Sequence, residues 1–313
     1  MSGSASASTK APWFTAADDL MHDLSGAPFG RESLLWTAPL PDEGLLVFAY
    51  AWKTAATGKF GRFVAVAGDN GGKPLVLEAI DDVDLEGDDF DDCTIGGLRI
   101  RQPAPLQTAQ LAFASENVEY EATFTGLHFP FSWHENEDGC AAWAATDRYE
   151  QSCRVTGRLK LGDREVVIDG HGHRDHSWGT RDWRALQHWK WINAAAGDDL
   201  SIHAWTSYAL GDNQINGYIN RGGVVTPLVD VQAKAQLDDR MLHETVTAVL
   251  TDADGGVVTL EAQRAAMWQM PIRHLYLNEA AMSGTLDGQK AVVHVELGWP
   301  QSYIDDYLDP EAV

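Results

Sequence analysis

The chain reads as an all-β protein of antiparallel strands, a barrel or a sandwich. Three observations predict this. Segments rich in Val, Thr, Tyr, Phe and Trp alternate apolar and polar positions at 44–52, 60–67, 118–124, 246–250, 257–262 and 291–297. That period of two is the signature of half-buried strands. Gly, Asp and Asn cluster between such segments, at 68–72, 162–163, 252–256 and 287–288. These residues tolerate the positive φ that hairpin turns require. Helical periodicity is weak, and nothing alternates strand with helix as a parallel βαβ fold would.

Taken in order, residues 1–10 are small and polar and lack the basic and apolar regions of a signal peptide, so a disordered tail is expected. Residues 13–22 fit one or two helical turns, and 300–308 a terminal helix. The acidic run 81–92 imitates the start of an EF-hand loop at Asp82, Asp84 and Glu86. Its twelfth position is Cys93, where calcium needs a bidentate Glu, so a solvated acidic loop is the expectation.

Composition narrows the partners. At 313 residues the chain can form one large or two modest domains. A net charge of −23 argues against nucleic acid and anionic membrane surfaces, which both need Lys and Arg. No apolar stretch approaches the roughly 18 residues of a membrane span. Cys93, Cys140 and Cys153 lack CxxC spacing, which gives no disulfide framework and fits a reducing cytoplasm.

Residues 171–183 hold three His, two Asp, two Arg and two Trp. Ionisable groups resist burial unless they are paired, so this run is costly to place. As His171-x-His173-x-Asp175-His176 it matches a two-zinc hydrolase signature, whose imidazoles and carboxylate suit zinc. Three features oppose that reading. The helices of that αββα fold are missing, about 170 residues precede the motif, and bulky Trp178 follows where small residues normally open a helix.

As Asp175-His176-Ser177-Trp178-Gly179-x-Arg181-x-Trp183, the same run resembles the lipocalin-like AttH and carotenoid 1,2-hydratase (CrtC) superfamily. Tyr149-Glu150-Gln151, followed by a Val-x-Gly hairpin, resembles it too. The resemblance is detailed over about 147–183 and looser elsewhere. It implies two consecutive lipocalin-like β domains, here 11–165 and 166–313, with the motif joining them and facing an apolar cavity. It also implies cofactor-free chemistry on greasy substrates, as in carotenoid hydratases, a fungal flavonoid hydratase and fungal pericyclases.

The residues support such a pocket independently. Trp178, Trp183, Trp189, Trp191 and Trp205 crowd the motif and the segments after it. His203 and Trp205 share a strand face with Ser201 and Ser207, and Trp189 shares one with Trp191. Large aromatics also simply fill small barrels. Adding or removing water needs a proton donor, a base and a shield for a cation. An Asp in apolar surroundings, a His and an indole face can supply these. Asp175, His176 and His203 are the candidates, with Tyr149 and Glu150 as a second acid or as orienting groups. Trp178, Trp183, Trp189 and Trp205 are the candidate substrate wall. In the hydratases a Tyr and an acidic Asp stand two apart on a downstream strand; here His203 and Trp205 occupy comparable positions, so the acid must lie elsewhere. Asp175 can alternatively pair with Arg174, Arg181 or Arg184 as a structural clasp. Gly172 and Gly179 are expected at tight turns.

The reading is therefore a hydratase, dehydratase or isomerase acting on a terpenoid-, steroid- or polyketide-like molecule. It calls for no metal or other cofactor and leaves room for a homodimer. The alternatives are a carrier of the same kind of ligand and the zinc hydrolase.

Overall fold

The computed structural model describes residues 12–309; the expected tail lies outside them. Twelve strands build the first sheet: β1 (Arg31–Leu40), β2 (Leu45–Thr54), β3 (Phe60–Ala67), β4 (Pro74–Val83), β5 (Leu85–Glu86), β6 (Asp92–Ile95), β7 (Leu98–Ala104), β8 (Thr108–Ala114), β9 (Val118–Gly126), β10 (Phe131–Ser132), β11 (Asp147–Leu161) and β12 (Arg164–Gly179). Their order is 4-3-2-1-12-11-9-8-7-6-5, with β10 paired to β11. The two ends of this sheet approach each other. Arg62 on β3 donates to the Glu78 carbonyl at 2.6 Å and to the Gly96 carbonyl, between β6 and β7, at 2.6 and 2.8 Å.

Eight strands follow: β13 (Leu186–Ala196), β14 (Leu200–Ala209), β15 (Asp212–Arg221), β16 (Val224–Leu237), β17 (His243–Asp252), β18 (Val257–Ile272), β19 (Leu275–Leu286) and β20 (Gln289–Pro300). They pair in sequence order and close into a barrel, β20 returning to β13. Closure removes the unpaired edge that an open sheet presents. The short helix α1 (Gln301–Leu308) follows, and a 3₁₀ turn at Ala16–Asp19 occupies the expected N-terminal helix. No helix among the described residues is long and apolar enough to cross a membrane. Most carboxylates of 81–92 are exposed, as a solvated acidic segment requires.

The all-β expectation and its two lipocalin-like halves are met. The boundary differs from the expected 165/166, which would cut the β11–β12 hairpin. β12 pairs with both β1 and β11, so the sheet changes only between Gly179 and Leu186. Gly172 also differs from expectation. It lies inside β12 rather than at a turn, and glycine is required there by close approach, since a Cβ would sit 2.2 Å from the Thr37 carbonyl oxygen.

Strand alternation sorts the apolar residues into three layers. One face of the first sheet, with Leu34, Trp36, Val47, Val155 and Ile168, fills its interior. Ile192, Ile202, Leu250, Val293 and Val295 fill the second barrel. The outer faces then pack on each other through Leu35, Phe48, Trp191, Trp205, Trp268 and Leu277. Both interiors are occupied by side chains, so space for a ligand lies between the barrels and not within the wall of one.

A candidate active site between the two barrels

β12 carries the motif as an extended strand, so its neighbours point in opposite directions. His173, Asp175 and Ser177 face the second barrel. Arg174, His176 and Trp178 face the interior of the first sheet. The zinc-type signature is thereby split, with His176 on the opposite face from His171, His173 and Asp175. β11 alternates in step: Glu150 lies opposite Asp175 and Tyr149 opposite His176.

Of these outward residues, Asp175 borders a cavity between the first sheet and the second barrel. Six indoles line it: Trp133, Trp143, Trp183, Trp189, Trp191 and Trp205. Trp183, Trp189 and Trp205 were expected there. Trp133 and Trp143 come from the segment between β10 and β11, and Trp133 packs at a tilt against Trp205 with centroids 4.4 Å apart. The polar wall is Asp175, Arg148, Arg181, Tyr50, Glu279 and Glu296.

Asp175 pairs with Arg148, whose Nη2 donates at 2.6 Å. Arg174, Arg181 and Arg184, the partners considered from sequence, do not ion-pair with it. Arg148 also donates through Nε to Glu150 at 2.7 Å and lies 4.6 Å over the Trp133 ring. Burial raises the Asp175 carboxyl to about 6, against the opposing pull of Arg148. Glu150 stands behind the cavity wall, pushed by burial to about 7. His173 lies 2.7 Å from it, and His203 3.5 Å. Burial holds both imidazoles well below their ordinary range, so both are neutral. His203 is oriented by Asn193 at 2.9 Å.

Glu279 and Glu296 are register partners across β19 and β20, and each keeps a buried Oε1 without a hydrogen-bond partner. Burial raises Glu279 to about 8. Burial first, and then the Glu279 charge, lifts Glu296 well above its ordinary value. His294 Nε2 lies 2.9 Å from Glu279. The pair therefore holds a proton at neutral pH inside an apolar, indole-walled space.

The remaining expected residues lie elsewhere. His176 Nε2 contacts Glu32 at 2.9 Å, and His22 Nδ1 contacts the same carboxylate at 2.7 Å. Burial would raise Glu32, but these hydrogen bonds hold it down at about 2. Trp178 stacks on His22 at 3.7 Å with Phe14 against its edge. The Tyr149 hydroxyl donates to buried Asp19. His176, Trp178 and Tyr149 thus tie the segment before β1 into the first sheet, away from the cavity. Among the described residues, two groups present three ligand atoms close enough for one ion, His22–Glu32–His176 and Glu150–His173–His203.

The sequence reading missed Arg148, Glu279 and Glu296. A signal existed for Glu296: with His294 it breaks the apolar alternation of 291–297 on the side away from the barrel interior. Glu279 carried none, because its partner lies on the next strand.

The architecture is shared with solved structures. The structure of CghA aligns with a TM-score of 0.57 at 12% identity, covering 87% of this chain and 88% of that one. A protein assigned as AttH from Nitrosomonas europaea gives 0.55 at 13%, covering 86% and 92%. Kievitone hydratase from Nectria haematococca gives 0.58 at 12%, covering 93% and 96%. At such identities the similarity shows the fold, the one the motif's resemblance implied. No sequence among the curated proteins matches. A family model matches residues 15–301, and the chain belongs to that family, described as domain of unknown function DUF7064.

Proposed function

We propose that the protein is a hydratase, dehydratase or isomerase that needs no cofactor and acts on a hydrophobic small molecule held between the barrels. The observation that carries this reading is a cavity walled by six indoles that also presents the adjacent carboxyls of Glu279 and Glu296 and, apart from them, that of Asp175. In the hydration direction, the Glu279–Glu296 pair gives its proton to an alkene carbon of the substrate. Water then adds to the resulting cation, and Asp175 accepts the proton that water loses. Dehydration is the reverse. An isomerase uses the same donor and base without water. Indole faces stabilise the cationic centre through their quadrupole. Arg148 keeps Asp175 ionised near neutral pH, although burial favours the acid. That one solved neighbour is named a hydratase favours the same class.

The test is a panel of tertiary terpene alcohols, enones and alkenes incubated with the protein and followed for a mass change of one water or for isomerisation. Turnover is expected with at least one member. It should fall roughly 10²-fold or more in Asp175→Asn and in Glu296→Gln, the scale of general acid–base groups. Tight binding of the panel without turnover would make the protein a carrier instead.

A further inference from the structure

The cavity opens beside a surface depression that shares Arg181 and Trp183 with it. The depression inverts the charge of the molecule. It is lined by five cations, Arg31, Lys53, Arg181, Arg184 and Arg273, against two carboxylates, Asp23 and Asp182. The chain as a whole has 23 Lys and Arg against 46 Asp and Glu. Both carboxylates are occupied: Asp182 accepts from Arg184 at 2.7 and 2.8 Å, and Asp23 from Ser25 at 2.7 and 2.8 Å.

Arg31 and Arg181 stand at the junction of the depression and the cavity. Neither lies within ion-pair distance of a carboxylate among the described residues. Arg31 donates to the Tyr50 hydroxyl at 3.4 Å and covers Trp52 at 4.8 Å. Arg181 donates to Ser177 Oγ at 2.7 Å. The Nε of each is buried without a partner. Both residues are half-buried, and a guanidinium partly withdrawn from water with no carboxylate partner is costly. Burial, helped by the nearby Arg148 and Arg31 charges, lowers Arg181 to about 10, and Tyr50 and Asp175 offset this only in part.

We propose that Arg31 and Arg181, with Tyr50 between them, form an oxyanion subsite, so that the substrate is an apolar body bearing a carboxylate. The planar fork of a guanidinium matches a carboxylate through two parallel hydrogen bonds. The apolar body then extends inward along the indoles, toward Asp175 and the Glu279–Glu296 pair. The positive rim also draws anions to a molecule that otherwise repels them. This inference rests on the cavity being the substrate site, and it narrows the substrate to amphipathic acids.

The test uses a matched pair, 1-pyrenebutyrate and 1-pyrenebutanol, read by energy transfer from the cavity tryptophans. The acid is expected to bind at least tenfold more tightly than the alcohol. Arg181→Gln and Arg31→Gln should each remove most of that ratio by weakening the acid alone. Equal affinities for acid and alcohol, or parallel losses of both in the variants, would overturn the subsite. If a variant does not fold, the wild-type ratio and its decline with salt decide the matter. A retained acid preference in a protein that turns over nothing would sink the lyase reading and leave the subsite standing. Turnover of neutral substrates with no acid preference would do the reverse.

Discussion

The carboxyl groups of the cavity set its response to pH. The donor works while the Glu279–Glu296 pair holds its proton, and the base works once Asp175 has lost its own. With Asp175 at about 6 and Glu279 at about 8, kcat/KM is expected to rise through about pH 6 and fall above about pH 8. These are properties of coupled groups, so the upper limb belongs to the pair as a whole. A profile flat from pH 5 to 9 would remove both residues from the chemistry. The same burial has a cost in stability. Glu279 titrates near 4.5 when unfolded and near 8 when folded. A raised carboxyl favours the folded state only while protonated. Its destabilisation is therefore absent below about pH 4.5 and grows until about pH 8. Each pKa unit is worth about 1.4 kcal/mol, so Glu279→Gln is expected to stabilise by a few kcal/mol at pH 8 and hardly at all at pH 4.5. Urea unfolding at the two pH values measures this. Lower stability of the variant at pH 8 would show that the carboxyl pair is a structural tie.

Alternation along β11 and β12 decides which motif residues share a space. The sequence grouped Tyr149 and Glu150 with Asp175 and His176 as candidates, but it read 171–183 as a junction between domains and not as the end of one long strand. What it could not supply was the face that each side chain takes, because polar residues stand at consecutive positions from 171 to 177 and leave no apolar rhythm to follow. Only the pairing of β12 with β1 and β11 fixes the parity. Glu150 and Asp175 then turn toward the second barrel, with Tyr149 and His176 behind them. The indoles were easier to read, since Trp189, Trp191 and Trp205 sit on regular alternating strands. A consequence follows for the buried face. Tyr149→Phe removes a donor from buried Asp19, which costs about 1–3 kcal/mol. His176→Ala takes one of two imidazoles from Glu32 and costs up to about 3–5 kcal/mol. Both variants are expected to melt earlier while keeping turnover per folded molecule within a few-fold of wild type. A large loss of turnover in either, with the melting temperature unchanged, would return that residue to the active site.

The two barrels share no strand, yet neither presents a finished surface alone. The second is closed and has its own core, although β15 pairs with β16 only from Tyr218 to Arg221, and the Ile215 and Gly217 amides donate to Asp138 and Asn136. Its outer face is a different matter. Trp189, Trp191, Trp205, Trp268, Leu275 and Leu277 pack in one layer with Leu35, Phe48 and Ala65 of the first sheet, Trp133 and Ala141 of the segment before β11, and Trp183. Contacts such as Tyr218 with Ser152, at 2.8 and 2.9 Å, and Asn136 with Gly217, at 3.0 Å, join the halves around that layer. A contiguous apolar face of this kind drives association when it is laid bare. Residues 186–309 expressed alone are therefore expected to show strand-type circular dichroism but to bind anilinonaphthalene sulfonate strongly and to self-associate in light scattering. In the whole chain both signals should vanish. A monodisperse, dye-free fragment would mean that the barrels adhere weakly. The cavity between them would then be a loose seam and not a site held in fixed geometry, and acid–base groups placed on opposite sides of it could not act together.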